Sequence, residues 1–255
     1  MKLTKLIIFA VIALTMSITP ALAAKHSVGL GVGAAPDYEG SEDYEAVPMV
    51  MLSGRYDSGR SFTLLGTRLF IDVLATKDYF FGPVLNYRMG RDDVDNQFVD
   101  AMSDIDDAFE AGLYAGFNIN NFIVAIEALA DVSDTHEGTI AKIAADYKWE
   151  VSDSLNMTPG IFATYASDDY MDTYFGVNAA NVGTSGFPNY KAEAGIKDAG
   201  VNLIVNYSTW ANWGVMGIAS YKSLLNDAED SPVVKIGDDG QAFIGLMAIY
   251  KWGNN

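Results

Sequence analysis

Apolar and polar residues alternate one by one through four long stretches of this chain. In Phe122–Asp131, Phe122, Val124, Ile126, Ala128 and Ala130 share one side, with Glu127 and Asp131 on the other. In Thr139–Glu150, Ala141, Ile143, Ala145, Tyr147 and Trp149 oppose Lys142, Asp146, Lys148 and Glu150. Ala199, Val201, Leu203, Val205 and Tyr207 oppose Gly200, Asn202, Asn206 and Ser208, and Ala242, Ile244, Leu246, Ala248, Tyr250 and Trp252 form a fourth face. A period of two means strand, because successive side chains leave a pleated backbone on opposite sides. A helical period fits none of the four.

These segments run to about 9 to 14 residues, whereas strands of soluble sandwiches average about 5–6 and a tilted strand crossing a bilayer needs about 9–11. Tyr147, Trp149, Tyr207, Trp210, Trp213, Tyr250 and Trp252 gather at segment ends, where a headgroup boundary would hold their rings inward and their polar tips wet. Connections alternate between short and long. Asp57-Ser58-Gly59, Lys77-Asp78, Asn120-Asn121, Ser152-Asp153-Ser154 and Thr209–Asn212 are tight turns, while acidic stretches make the long ones, Ser167–Glu193 being the longest. The pattern predicts a closed, all-β, antiparallel transmembrane barrel with tight turns at one end and long loops at the other. Twelve strands are expected: Ser27–Ala35, Ala46–Tyr56, Arg60–Gly66, Arg68–Ala75, Tyr79–Arg91, Ala108–Ile119, Phe122–Ser133, Thr139–Val151, Leu155–Ser167, Ala194–Ser208, Trp213–Ser223 and Gly240–Trp252. Arg60–Ala75 is short for two strands, and dropping both leaves ten with the parity unchanged.

The N-terminus sets the compartment. Lys2 and Lys5 precede an apolar run from Leu6 to Ile18, and Ala21-Leu22-Ala23 is a small-x-small cleavage site, so residues 1–23 read as a signal peptide and 24–255 as the barrel domain. There is no cysteine, which excludes disulfides, thiolate metal sites and a lipid anchor. With 33 acidic and 16 basic residues the net charge is −17, and loss of the leader makes it more negative still, which excludes a nucleic-acid partner. Half the residues are nevertheless apolar. A chain both acidic and hydrophobic must separate the two properties, and here acid falls in the loops: Pro36–Glu45, Arg91–Asp107, Ser167–Asp172 and Asn226–Asp230.

Candidate chemistry is sparse. His26 lies beside the cleavage point, and His136, in Asp134-Thr135-His136-Glu137-Gly138, reads as part of a solvated outer turn. Asp92-Asp93-x-Asp95-Asn96 and Asp104-x-Asp106-Asp107 are dense enough to suggest calcium, but they lack an EF-hand's spacing and read as solvated loops. Gly29, Gly31 and Gly33 alternate with Val28, Leu30 and Val32 and read as small lumen-facing positions rather than a dinucleotide loop. The lumen face otherwise reads as polar and mixed in sign: Arg88, Glu127, Asp131, Lys142, Asp146, Lys148 and Lys251. These could pair across a narrow barrel and close it, or line a small pore. No catalytic, cofactor or metal-ligating residue is assigned, no cofactor is expected, and the chain is not expected to be an enzyme.

Gly29–Pro48, GLGVGAAPDYEGSEDYEAVP, resembles the opening of the MipA/OmpV family of outer-membrane proteins, the MltA-interacting protein family. Tyr174–Val177, Ala194–Asp198 and Leu224–Val234 agree with it. The resemblance implies an outer-membrane barrel of a Gram-negative bacterium, in contact with lipid and lipopolysaccharide. It also implies a scaffold linking a lytic transglycosylase to a bifunctional murein synthase, other members being described as adhesins or antigens. A small-solute channel is the alternative, and an outer-membrane hydrolase a distant third. Members usually stop on an aromatic residue, whereas here Gly253-Asn254-Asn255 follows Trp252.

Overall fold

The structure, a computed structural model, describes residues 23–208 and 212–253. Residues 1–22 of the signal peptide expected over 1–23, Thr209 to Ala211 of one tight turn (with Trp210) and Asn254-Asn255 of the tail lie outside the described residues. Thirteen strands form one antiparallel sheet: β1 (Ala23–Pro36), β2 (Tyr44–Tyr56), β3 (Ser61–Leu65), β4 (Arg68–Asp72), β5 (Tyr79–Arg88), β6 (Ala108–Ile119), β7 (Phe122–Asp131), β8 (Thr139–Tyr147), β9 (Trp149–Ser152), β10 (Leu155–Ala166), β11 (Gly195–Ser208), β12 (Trp213–Leu224) and β13 (Gly240–Gly253). β8 and β9 pair with the same neighbour, β10, and are two pieces of one stave broken at Lys148, where an uninterrupted strand was expected. The Lys148 amide still donates to the Asn121 carbonyl, so the break is a local kink at the tight-turn end. The barrel therefore has twelve staves, and β1 pairing with β13 and β10 with β11 closes the ring. Closure leaves the sheet no edge strand unpaired along its whole length.

Alternation sorts the side chains. Leu30, Ile126, Ile143, Val201, Ile244 and Leu246 stand exposed on the outer face, each more than half accessible. No helix among the described residues is long and apolar enough to cross a membrane, and the outward apolar band is carried by the strands of the closed barrel. Exposed Trp149, Trp213 and Trp252, with Tyr79, Tyr147 and Tyr207, ring the tight-turn end. His26 lies in that ring, stacked on Trp252 at 5.2 Å.

The lumen is less polar than expected on one wall. Gly29 sits against Met247 and Met51, where an added Cβ would meet their atoms at 3.0 and 3.1 Å. Met49, Met51, Met247 and Ile249 are buried there, with Leu65, Met216, Ile218 and Phe243 around them. The glycine stripe of β1 leaves volume that flexible thioethers fill.

The long connections collect at the other end and carry five short helices: α1 (Gln97–Asp100), α2 (Asp168–Phe175), α3 (Ala179–Ser185), α4 (Asp227–Asp230) and α5 (Pro232–Lys235). They fold over the barrel mouth. Ser41 and Ser185, in acidic or polar loops by sequence, are accordingly buried at 1% and 4%. Cysteines at Glu42, Ser103 and Thr184, which are exposed, should react with an impermeant maleimide on intact cells. Those at Ser58, Asn121 and Asp153 should react only after the outer membrane is opened, and the reverse pattern would invert the barrel.

Candidate functional site

Glu39, in the β1–β2 connection, reaches down into the mouth of the barrel. Its Oε1 accepts from Lys197 Nζ at 2.6 Å and Lys222 Nζ at 2.5 Å, and its Oε2 accepts from the Tyr170 hydroxyl at 2.9 Å. Lys197 also donates to Asp198 Oδ2 at 2.6 Å, and Lys222 to the same oxygen at 3.2 Å. Two carboxylates and two ammonium groups thus form a neutral tetrad, and the side chains of Lys197 and Asp198 are only 4% and 2% exposed. Burial works against the charge on Glu39. Lys197 and Lys222, with Arg88 behind them, outweigh it and hold the carboxyl well below the ordinary glutamate range.

Lys197 and Asp198 are neighbours in sequence, yet both point inward. Strand pairing runs Thr164 to Asp198 and then Tyr165 to Ile196, skipping Lys197. That residue is the extra one of a β-bulge, which turns its side chain out of alternation and into the lumen.

A second cluster lies beside the tetrad. Glu110 on β6 accepts from Arg88 Nε at 2.7 Å and from Asn86 Nδ2 at 2.6 Å. His136 completes it: the Gly138 amide donates to Nδ1 at 3.1 Å, leaving the proton on Nε2, which donates to Glu110 Oε1 at 3.2 Å. His136 is 3% exposed, so the expected solvated turn is instead a loop whose imidazole is drawn inside. Four acceptor contacts from Asp131 make that possible: it receives the amides of Ser133, His136 and Glu137 and the Ser133 hydroxyl, folding the loop back over the mouth.

Tyr170 and Tyr174 of α2 join the clusters. The Arg88 guanidinium lies 4.9 Å from the Tyr170 ring centre and 5.7 Å from that of Tyr174, and His136 packs on both rings. Burial raises the Tyr170 phenol well above its ordinary value, and Glu39 adds to it against Arg88. Tyr170, Met171 and Phe175 are fully buried together with Val234, and beyond them Val177 and Val233 pack with Val99 and Met102 of the α1 connection and Val182 of α3. The mouth is filled by its own loops.

The acidic stretches contribute to this plug. Asn96 caps α1, Asp95 and Asp37 are tied by a hydrogen bond at 3.0 Å, and Asp107 receives the Tyr87 hydroxyl and the Gly90 amide. No cluster among the described residues has the makings of a metal site. Of the lumen residues expected from sequence, Arg88, Glu127, Lys142 and Asp146 do face inward. Arg68 pairs with Glu127 at 2.9 Å, Lys142 lies 4.1 Å above the Phe162 ring, and Asp146 accepts from Asn202. Asp131 goes to the loop, and Lys148 and Lys251 are exposed at the tight-turn end. Glu39, Glu110, Lys197, Asp198 and Lys222 were missed. Glu39, Lys197 and Asp198 lie within the segments that carried the family resemblance and Lys222 just before one, and the fold brings these segments together from residues 39, 174, 197 and 224 onward.

Comparison with known proteins bears on the family resemblance. The profile described as MltA-interacting protein MipA matches residues 28–252. A curated MltA-interacting protein of Escherichia coli (strain K12) is 27% identical over 219 residues, covering 82% of this chain and 84% of that protein. The protein named as putative outer membrane protein YiaT, from the same organism, is 27% identical over 114 residues, 44% of each chain. Among solved structures, an outer-membrane channel from Pseudomonas putida F1 superposes with a TM-score of 0.47 at 9% identity, over 91% of this chain and 96% of that one.

Proposed function

Because the chain belongs to the MltA-interacting protein family, we propose that this outer-membrane barrel is a non-catalytic interaction protein that holds a murein-processing enzyme at the inner surface of the outer membrane. The relative named above is described by such an interaction, and a lytic transglycosylase is the partner this reading carries over. One observation bears most on it. The long-loop mouth is packed shut by α2, whose Tyr170, Met171 and Phe175 have no exposed surface, and is pinned by the Glu39 tetrad. A barrel built for flux keeps an aqueous lumen, whereas this one spends its loops on a hydrophobic and ionic stopper. His136, the histidine a hydrolase at the rim would need, is committed to Glu110 and two phenol rings.

A periplasmic partner meets the tight turns and the aromatic rim. The turns alone offer far less than the roughly 1,200 Å² of a stable interface, so the exposed Trp149 and Trp252 should supply the anchor. Replacing both by Ala should weaken capture of a lytic transglycosylase from crosslinked envelopes at least about tenfold, while replacing the acids of Asp104–Asp107 by Ser should leave it unchanged. In planar bilayers the purified barrel should show no steady conductance. Steady ion flow with no enzyme captured would replace this reading by the channel.

A further inference from the structure

The barrel wall is incomplete on one side. β3 ends at Leu65, opposite Met51 of β2, and β4 begins at Arg68, opposite Asn86 of β5. Above this hairpin, whose arms have five residues each, the loop-side part of β2 from Tyr44 to Met49 is paired only with β1. The Val50 carbonyl accepts from the Gly66 amide, so Val50 directs its backbone groups toward the hairpin. Alternation turns those of Pro48 the same way, toward the gap. Proline has no N–H to leave unpaired there, which is where a strand tolerates it. Met49 and Met51 face the lumen, so Ala46, Pro48 and Val50 line the outer lip, while Leu85 of β5, exposed on the outer face, is paired with Leu69 of β4 just below the gap. That lip is apolar, as a surface against lipid should be.

Behind the gap lie two cavities of about 410 and 630 Å³ that share Val47, Thr67, Arg68, Arg88 and Lys222 in their walls. The larger is lined by five cations, Arg68, Arg88, Lys142, Lys197 and Lys222, and by Glu39 and Asp198; with Glu127 on Arg68 and Glu110 on Arg88 the five cations face four carboxylates, and Lys142 is the one in excess, within a chain of net charge −17. Lys142 packs on the Phe162 ring and forms no salt bridge among the described residues; the carboxylate opposite it on β7, Glu127, is held by Arg68 at 2.9 Å. Met49, Phe162, Ile218 and Phe243 make the rest of the chamber apolar. A cation held away from water whose facing carboxylate is already shared with an arginine can still accept a further anion, and the volume falls in the range of small-molecule sites.

We infer that the gap above the β3–β4 hairpin is a side entrance through which an anionic amphiphile passes from the surrounding lipid into the lumen. Its carboxylate or phosphate head meets Lys142 and Arg68, and its single alkyl chain lies against Met49, Phe162 and Phe243. The route is independent of any periplasmic partner and of the sealed mouth.

The test uses the full barrel in phosphatidylcholine nanodiscs and a fluorescent dansyl-undecanoate probe. Saturable binding is expected, displaced by dodecanoate and by dodecyl phosphate. Dodecanol, which has the tail alone, and acetate or inorganic phosphate, which have the head alone, should not compete at the same concentration. Lys142→Met should weaken binding about tenfold, the loss of one charge-assisted contact, and Lys142→Arg should retain it. A hairpin lengthened by two residues in each arm should abolish uptake while keeping heat-modifiable migration on gels, the sign of a closed barrel. Equal competition by dodecanol would remove the role of the cations. Displacement by acetate or phosphate would make the ligand a water-borne anion. Unaltered uptake by the lengthened hairpin, or no saturable binding at all, would overturn the side entrance.

Discussion

Ile143→Arg should destabilise the membrane-embedded barrel by roughly 2–4 kcal/mol, the cost of a guanidinium on the lipid face near mid-membrane. Ile143 is 55% exposed on the outside of β8, paired with Ile126 of β7 and Ala163 of β10. No water or counter-charge is available to an arginine there. Ala144→Arg, one residue on, enters the lumen between Lys142 and Asp146 and opposite Phe162. Asp146 can take the new charge, so the loss should be well under half as large. Reversible urea unfolding in lipid vesicles measures both. Equal losses would mean that the two faces of β8 see the same medium, which no barrel wall allows.

Lys197→Met should cost about 3 kcal/mol, toward the lower end for breaking a buried ion pair. Lys222 still serves both carboxylates, and the Glu39 side chain keeps 24% exposure toward the chamber. The change leaves one negative charge in excess beneath α2, so the plug should loosen before the wall does. Glu39→Gln removes one charge of the opposite sign. The two together should cost less than the sum of their separate losses, by 0.5 kcal/mol or more, roughly the least coupling expected within one network. Additive losses would show that the tetrad is not a unit. Acid gives the same answer by titration. Because Glu39 is depressed in the folded state, its stabilisation is complete above the ordinary glutamate value of 4.5 and is lost as pH falls through the lower folded value. Wild-type plug opening, read by protease access to Asp168–Phe175, should therefore begin only below that ordinary value. Glu39→Gln should remove this step.

Much of this fold was readable because a membrane barrel writes its walls in a simple code. Strand length, alternation and the parity of short and long connections placed the twelve staves with small errors at their ends. Even the doubtful Arg60–Ala75 stretch resolved into two paired strands. The candidate site was far less readable. Glu39 and His136 sit in acidic, glycine-containing segments that look solvated, and nothing within ten residues of either says that a distant strand will supply Lys197, Lys222 or Glu110. Lys197 was hidden for a sharper reason. On the alternation that holds from Ala199 to Ser208 it belongs outside, and only the bulge against β10 turns it in.

The chain by itself determined which faces meet lipid and, apart from the Arg60–Ala75 hairpin, how many times it crosses, because those depend on each residue's own hydropathy and on a backbone period that local sequence fixes. Whether the barrel is open or shut was decided only by the tertiary structure. That outcome depends on where five long connections meet above the rim, on a glycine stripe that admits methionines, and on a hairpin with five-residue arms that stops short of its neighbours. Contacts between residues more than a hundred positions apart, such as Tyr170 with Glu39 and Lys222 with Glu39, leave no periodic trace in a single sequence, since either partner alone is only a polar residue in a loop or on a lumen face.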